Sequence, residues 1–247
     1  MSIQVMEIWS CIKDDILEYL KDTDYLSLIA HGSFTEGIAN RNSDFDLLVV
    51  CRECEDRYDI MVVKDIEVDI DFMSEKSVRA QLESLDELLR PNRIGSTPPL
   101  ASRLKNAIIL IDTDDVGKNL IDMVKKFKPS FQLLDHYSRS GFGYYYDAVG
   151  AMMSGDYATS ILMARIGALE VAAGILLRGG ELYVKKKWFP RFMIRIPSAP
   201  TELFLRLMGL DTADKKKAVQ CIQDLNQFIS ELQKRRQEHM DDLDENV

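Results

Sequence analysis

A chain of 247 residues that is 46% hydrophobic and 29% charged can bury a substantial core in one or two domains, and it contains no repeats or low-complexity tracts. Its net charge of −9, with a pI near 5.0, argues against a long nucleic-acid partner, because phosphate-backbone binding draws on clustered Lys and Arg that release counterions. Small-molecule or protein substrates are the classes left, and an acidic cleft would suit a polycationic acceptor.

The N-terminal residues Met1 to Glu7 hold neither a basic n-region nor a long apolar run, so no signal peptide or membrane anchor is expected and a cytoplasmic location is. Ile3 to Leu20 has helical spacing, with Ile8, Cys11, Ile12, Ile16 and Leu20 on the face expected to pack behind a sheet. Strands are predicted near 25–31, 45–51, 58–63 and 66–72, with Lys64-Asp65 as a tight turn between the last two. Cys51 and Cys54 have a redox-like spacing, but no second zinc half-site follows and no helix lowers the thiol pKa. With Cys11 and Cys221 they read as reduced thiols. Ser77 to Leu89 reads as a helix stopped before Pro91, followed by a loop rich in Pro, Gly and Ser, a strand at 106–112 and a helix at 116–127. Beyond Lys128-Pro129 the pattern turns wholly helical, and the domain boundary is set there, at 127/128.

The chemistry concentrates between His31 and Val50. Asp-x-Asp recurs at Asp22/Asp24, Asp69/Asp71, Asp112/Asp114 and Asp242/Asp244, but only Asp44/Asp46 stands at the head of a core strand directly after an apolar strand and a Gly32-Ser33 turn. Period-2 geometry puts both side chains on one face with α-carbons roughly 6–7 Å apart. Two such carboxylates repel unless a cation lies between them, and hard oxygen donors that can share a triphosphate favour Mg²⁺. A third acid is expected from Ile66–Phe72, where Glu67, Asp69 and Asp71 share a face opposite Val68, Ile70 and Phe72; Asp69 is favoured, Asp71 second. Gly32 lets the backbone approach a phosphate, Ser33 adds a donor, and a helix starting near Phe34 would add its dipole. The segment is not a Walker loop, since no Gly-Lys-Ser/Thr follows.

Gly32-Ser33, Gly37, Ser43-Asp44-Phe45-Asp46 and Val68-Asp69-Ile70 together resemble, in order and spacing, the core pattern of the DNA polymerase beta-type nucleotidyltransferases. Within that superfamily the chain looks most like the kanamycin and lincosamide nucleotidyltransferases and the minimal nucleotidyltransferases. The resemblance implies an α+β fold: an N-terminal mixed-sheet catalytic domain, residues 1–127, and a C-terminal helical bundle, residues 128–247, that clamps substrate and nucleotide. It also implies two Mg²⁺ ions on Asp44, Asp46 and Asp69, a triphosphate on Gly32 and Ser33, and in-line transfer of a nucleoside monophosphate with release of pyrophosphate. The chain departs from the pattern at Glu36, where many relatives carry a basic residue; Arg41 is the nearby substitute.

In the helical half, 161–177 is apolar almost all round and ends in Arg178-Gly179-Gly180, which reads as the capped central helix of a bundle; Arg165 and Glu170 argue against a membrane span. Its small residues Ala164, Gly167, Ala168, Ala172 and Ala173 suit either an intramolecular bundle or a homodimer seam. Lys185-Lys186-Lys187-Trp188 either reaches the triphosphate or forms a solvated loop anchored by Trp188, whereas 215–217 and 234–236 read as solvated basic faces and 241–245 as an acidic tail. The resemblance to the aminoglycoside enzymes implies a carboxylate early in the helical half that deprotonates the acceptor, for which Asp135, or Asp147 beside Tyr144-Tyr145-Tyr146, is the candidate, with His136 an outside one. The expected function is transfer of AMP from ATP to a hydroxyl of an aminoglycoside- or lincosamide-like small molecule. The alternatives are adenylylation of a protein partner, as in toxin–antitoxin pairs, and a non-catalytic nucleotide-binding module; an oligonucleotide-extending polymerase is disfavoured by charge.

Overall fold

The computed structural model describes residues 3–90, 100–182, 185–196 and 200–216. The Pro-, Gly- and Ser-rich loop at 91–99, Cys221, the basic run 234–236 and the acidic tail 241–245 lie outside the described residues, as does Lys217. Two compact units divide the chain, residues 1–199 and 200–247. The change from mixed to helical structure near residue 128 falls inside the first.

The first unit is built on a five-stranded mixed sheet: β1 (Tyr25–His31), β2 (Phe45–Cys51), β3 (Arg57–Val63), β4 (Ile66–Ser74) and β5 (Ile108–Asp112), in the order β3-β4-β2-β1-β5. β2 and β4 run parallel; the β1–β2, β1–β5 and β3–β4 pairs are antiparallel. Lys64 and Asp65 join β3 to β4 with φ of 50° and 63°, the left-handed pair that a two-residue hairpin of matching twist requires. That turn sets Val63 opposite Ile66 and hence Tyr58 opposite Asp71.

One face of the sheet is buried by α1 (Ile3–Tyr19). Its core stripe is Val5, Trp9, Ile12 and Ile16, continued by Leu20, packed on Leu28, Phe45, Leu47, Val49, Val68, Ile70 and Phe72. Each such side chain contributes about 1.5–3 kcal/mol of transfer free energy. The stripe is rotated from the predicted one: Cys11 is exposed and Trp9 takes the buried place, because the sheet accepts a side chain one turn below Ile12 rather than beside it. Cys51 is buried and free, and burial together with its neighbour Cys54 pushes its thiol up to about 12, so it holds no reactive thiolate.

The other face is covered only in part, by α2 (Glu75–Glu83), α4 (Leu100–Leu104) and α5 (Val116–Lys126). The predicted helix through Leu89 is broken at Ser84, whose hydroxyl bonds back to Ala80 and Gln81, and resumes as the short α3 (Leu85–Leu88). Asp112 caps α5 by accepting from the amides of Gly117 and Lys118 at 2.7 and 3.1 Å. On the outer half of this face, Tyr58, Ile60 and Val62 of β3 are exposed. The acidic residues of β4 therefore border an open shelf.

The helices α6 (Phe131–Met153) and α7 (Tyr157–Arg178) form an antiparallel hairpin capped by Ser130 and Asp156, and α8 (Phe189–Ile194) packs on α7. The C-terminus of α7 closes with Gly180 N–H on Leu177 C=O and Glu181 N–H on Leu176 C=O. α7 was expected to be the central helix of a bundle, yet Ile161, Leu162 and Val171 are exposed, with Phe142, Tyr145 and Tyr146 of α6. α7 is also the one helix among the described residues long and apolar enough to cross a membrane. Its Glu170, however, is buried and paired with Lys186 at 3.2 Å. Tyr137, buried on α6, donates to the Leu89 carbonyl and ties the hairpin to the end of α3. The second unit contains α9 (Thr201–Met208), ended by Gly209.

Candidate functional site

The sheet register assembles the acidic residues. Asp46 lies opposite Asp69 across the parallel β2–β4 pair, and Asp44 enters from the residue before β2. One carboxylate oxygen from each of Asp44, Asp46 and Asp69 lies within 4.8 Å of the other two. Asp71, one step further along β4, is opposite Leu48 and accepts from Arg103 Nη1 of α4 instead. The geometry thus separates the two candidates for a third acid: Asp69 joins the trio and Asp71 holds an arginine.

The electrostatics follow from crowding and burial. Asp46 is pushed up to about 7, by desolvation first and by the charge of Asp44 next, against the pull of Lys185 and Arg103. Asp69 is raised by burial, opposed by the hydrogen bond it accepts from Tyr58 and reinforced by Asp44. A metal-free trio resists full ionisation, and a divalent cation among three hard oxygen donors is what would relieve it. The donor set fits Mg²⁺, with Asp44, Asp46 and Asp69 as the residues that would hold it.

Gly32 closes the site. Its φ is 78°, and a Cβ there would sit 1.9 Å from Asp46 Oδ2, so both backbone conformation and space demand glycine. The predicted helix at Phe34 is absent: 33–37 form a single turn, with Glu36 N–H on Gly32 C=O and Ile38 N–H on Ser33 C=O. The turn is too short to carry a helix dipole, and the amides of Glu36 and Gly37 already donate within it, to the Gly32 and Phe34 carbonyls. Ser33 Oγ, Asp69 Oδ1 and His31 Nε2 are buried without a hydrogen-bond partner, three of the four such side-chain atoms among the described residues. Unsatisfied buried polar atoms cost about 1–3 kcal/mol each, and their clustering marks a place where a polar ligand would complete them.

Glu36 is 8% exposed and accepts from Arg195 Nη1 and Asn106 Nδ2, both at 2.9 Å, while Arg195 Nη2 donates to the Glu36 carbonyl at 2.8 Å. An acid stands at this position because it fastens the turn to α8. Arg41 is exposed and lines a cavity of about 740 Å³ with Asp44, Asp65 and Glu67. Positive charge reaches Asp46 from elsewhere: Arg103 and Lys185 both bear on Asp46 and on His31. Burial, then these two cations, hold His31 neutral, well below its usual range. Of the basic-aromatic segment, Lys185 thus lies close enough for its charge to bear on Asp46, Lys186 pairs with Glu170, and Lys187 lies 5.1 Å from the centre of the Trp188 ring. Arg103 left no sequence signal, since α4 is one and a half turns long and its neighbour Asp71 comes from another element.

Asp135 and Asp147 are not part of this cluster. Asp135 is bound to Arg139 at 2.6 Å and lines a separate groove of about 1010 Å³ between α6 and α7; Asp147 is exposed on α6.

Residues 13–96 match the family model of the nucleotidyltransferase domain. The matched stretch holds β1 to β4 with Gly32, Ser33, Asp44, Asp46 and Asp69, and it supports the resemblance to the DNA polymerase beta-type superfamily. Among solved structures, the chain is similar to the nucleotidyltransferase-like protein from Exiguobacterium sibiricum 255-15, at 13% identity over 83% of this chain and 73% of that one, with a TM-score of 0.44. No curated protein matches the sequence.

Proposed function

We propose that the protein transfers a nucleoside monophosphate, AMP from ATP in the first instance, to an acceptor hydroxyl and releases pyrophosphate. The observation that carries this reading is the convergence of Asp44, Asp46 and Asp69 beside the Gly32-Ser33 turn, inside the matched nucleotidyltransferase domain. In this reading Gly32 and Ser33 seat the triphosphate with main-chain amides and a hydroxyl, and Lys185 and Arg103 offset the negative charge that builds on the departing pyrophosphate. Two bound Mg²⁺ ions, held by the three aspartates, would neutralise the phosphates and the attacking oxygen. Asp69 takes the acceptor's proton, a role supported by the hydroxyl hydrogen bond its Oδ2 already accepts from Tyr58.

The acceptor we favour is a cationic small molecule of aminoglycoside or lincosamide type. Asp44, Asp65 and Glu67 against the single Arg41 give the neighbouring cavity a net negative wall, which supports that choice. A cytoplasmic location accords with the need for ATP and Mg²⁺. A second reading, transfer to a protein hydroxyl, is favoured by the contact of Tyr58 with Asp69. Incubation with each NTP, Mg²⁺ and a panel of acceptors, followed by mass spectrometry of the products, tests both. A nucleotidylated small molecule supports the first; products confined to protein select the second.

A further inference from the structure

Tyr58 is placed on the acidic face by the hairpin itself. The two-residue Lys64-Asp65 turn sets it opposite Asp71, period-2 alternation aims it to the uncovered side, and its hydroxyl reaches diagonally to donate to Asp69 Oδ2. β3 is an edge strand and Tyr58 is 51% exposed, so the phenol is held by its hydrogen bond to Asp69 and open to solvent. Besides Asp69, the carboxylates of Asp71 and Asp44 are close enough to bear on it. A hydroxyl that donates to the carboxylate expected to take an acceptor's proton stands where an acceptor hydroxyl must stand.

We propose that Tyr58 is itself an acceptor: the chain transfers a nucleoside monophosphate from a nucleoside triphosphate to its own Tyr58 hydroxyl. The inference rests on the nucleotidyltransferase reading and names a substrate class for it, a tyrosine phenol. In the step, a lone pair of Tyr58 Oη forms the bond to the α-phosphorus as the bond from that phosphorus to the bridging oxygen breaks. The electron pair leaves with pyrophosphate, and the phenol proton passes along the existing hydrogen bond to Asp69 and then to solvent. One phosphodiester is made and one phosphoanhydride is lost, with no oxidant or reductant. Because the strand holds a single phenol at this place, incorporation stops at one equivalent per chain.

The test uses the full-length protein with Mg²⁺ and each NTP in turn, without any added acceptor, followed by intact mass measurement and peptide mapping. The expected result is a gain of one nucleoside monophosphate on the peptide containing Tyr58, absent from Tyr58→Phe and from Asp44→Asn. In parallel, a nucleotide with a non-cleavable α–β bridge is added to the wild-type chain with Mg²⁺ and the melting temperature is read. If the analogue stabilises the protein and Tyr58 stays unmodified, or if Tyr58→Phe is labelled as strongly as wild type, the inference is overturned and the nucleotide site stands. If the analogue gives no stabilisation, the site reading has failed and this inference falls with it. Mapping on the wild-type chain decides the matter even where a variant folds poorly.

Discussion

Asp46 and Asp69 occupy paired positions on the parallel strands β2 and β4, so the hydrogen-bond register of the sheet delivers both carboxylates to one face. Parallel pairing makes the meeting a property of the core: the apolar residues alternating with them, Phe45, Leu47, Val68 and Ile70, are fully or almost fully buried and lock the register.

That crowding predicts a pH signature in the metal-free protein. Asp46 titrates near 7 when folded and near 4 when unfolded, so between about pH 4 and 7 the native state binds the extra proton and stability falls as pH rises, by at most about 1.4 kcal/mol per unit. His31 acts oppositely: it is neutral when folded, so its contribution is lost as pH falls below about 6.5. Comparing wild type with Asp46→Asn isolates the carboxylate. Melting curves from about pH 5 to 8 should show the Asn variant gaining on wild type as pH rises, and added Mg²⁺ should restore the wild type's advantage. A difference that is flat in pH would contradict the assigned environment.

Asp69 and Asp71 should fail in different ways. Asp69→Asn is expected to lower turnover on the order of 10²-fold or more, about 3 kcal/mol. Asp71→Asn leaves the partly buried Arg103 guanidinium without its carboxylate and should show mainly as lost stability, about 1.5–3 kcal/mol in chemical denaturation. The reverse ranking in turnover would move the third ligand to Asp71.

Glu36 predicts a stability effect with a catalytic echo. Glu36→Ala strands Arg195 and Asn106 and should cost about 3 kcal/mol, the lower end of the range for breaking a buried pair, since Arg195 is one-third exposed. Because Arg195 also holds the Glu36 carbonyl, the loosened turn should raise the KM for nucleotide. Urea midpoints and steady-state kinetics on the same variant check both effects.

Lys185→Met should raise the nucleotide KM on the order of tenfold, about 1.4 kcal/mol, with a smaller change in kcat, as expected for a charge that binds the triphosphate. A lowered melting temperature with unchanged KM would instead make Lys185 a structural anchor.

Much of the sheet was legible in the sequence because its signals are local. An apolar run set β2, alternation set β4, the Lys64-Asp65 turn set the hairpin, and the spacing of Asp44, Asp46 and Asp69 pointed to three carboxylates that the register brings together. The placement of Tyr58 follows from counting back from that turn. What escaped was long-range: Arg103 on Asp71 and Arg195 on Glu36 link positions 32 and 159 residues apart, and no spacing rule connects them, whereas Lys185 near Asp46 is one of the two readings its basic-aromatic run left open. The central place expected of α7 departs from the structure for a similar reason, since apolarity almost all round a helix does not say which neighbours cover it.

The central claim is that Asp44 and Asp46 hold the cations for nucleotidyl transfer, and pyrophosphate release tests it most directly. Wild-type protein with ATP or another NTP, Mg²⁺ and the acceptor panel should release pyrophosphate, whereas Asp44→Asn and Asp46→Asn, folded by circular dichroism, should release none above background. Near wild-type release by either variant, or none from the wild type with any NTP and acceptor, would contradict the account.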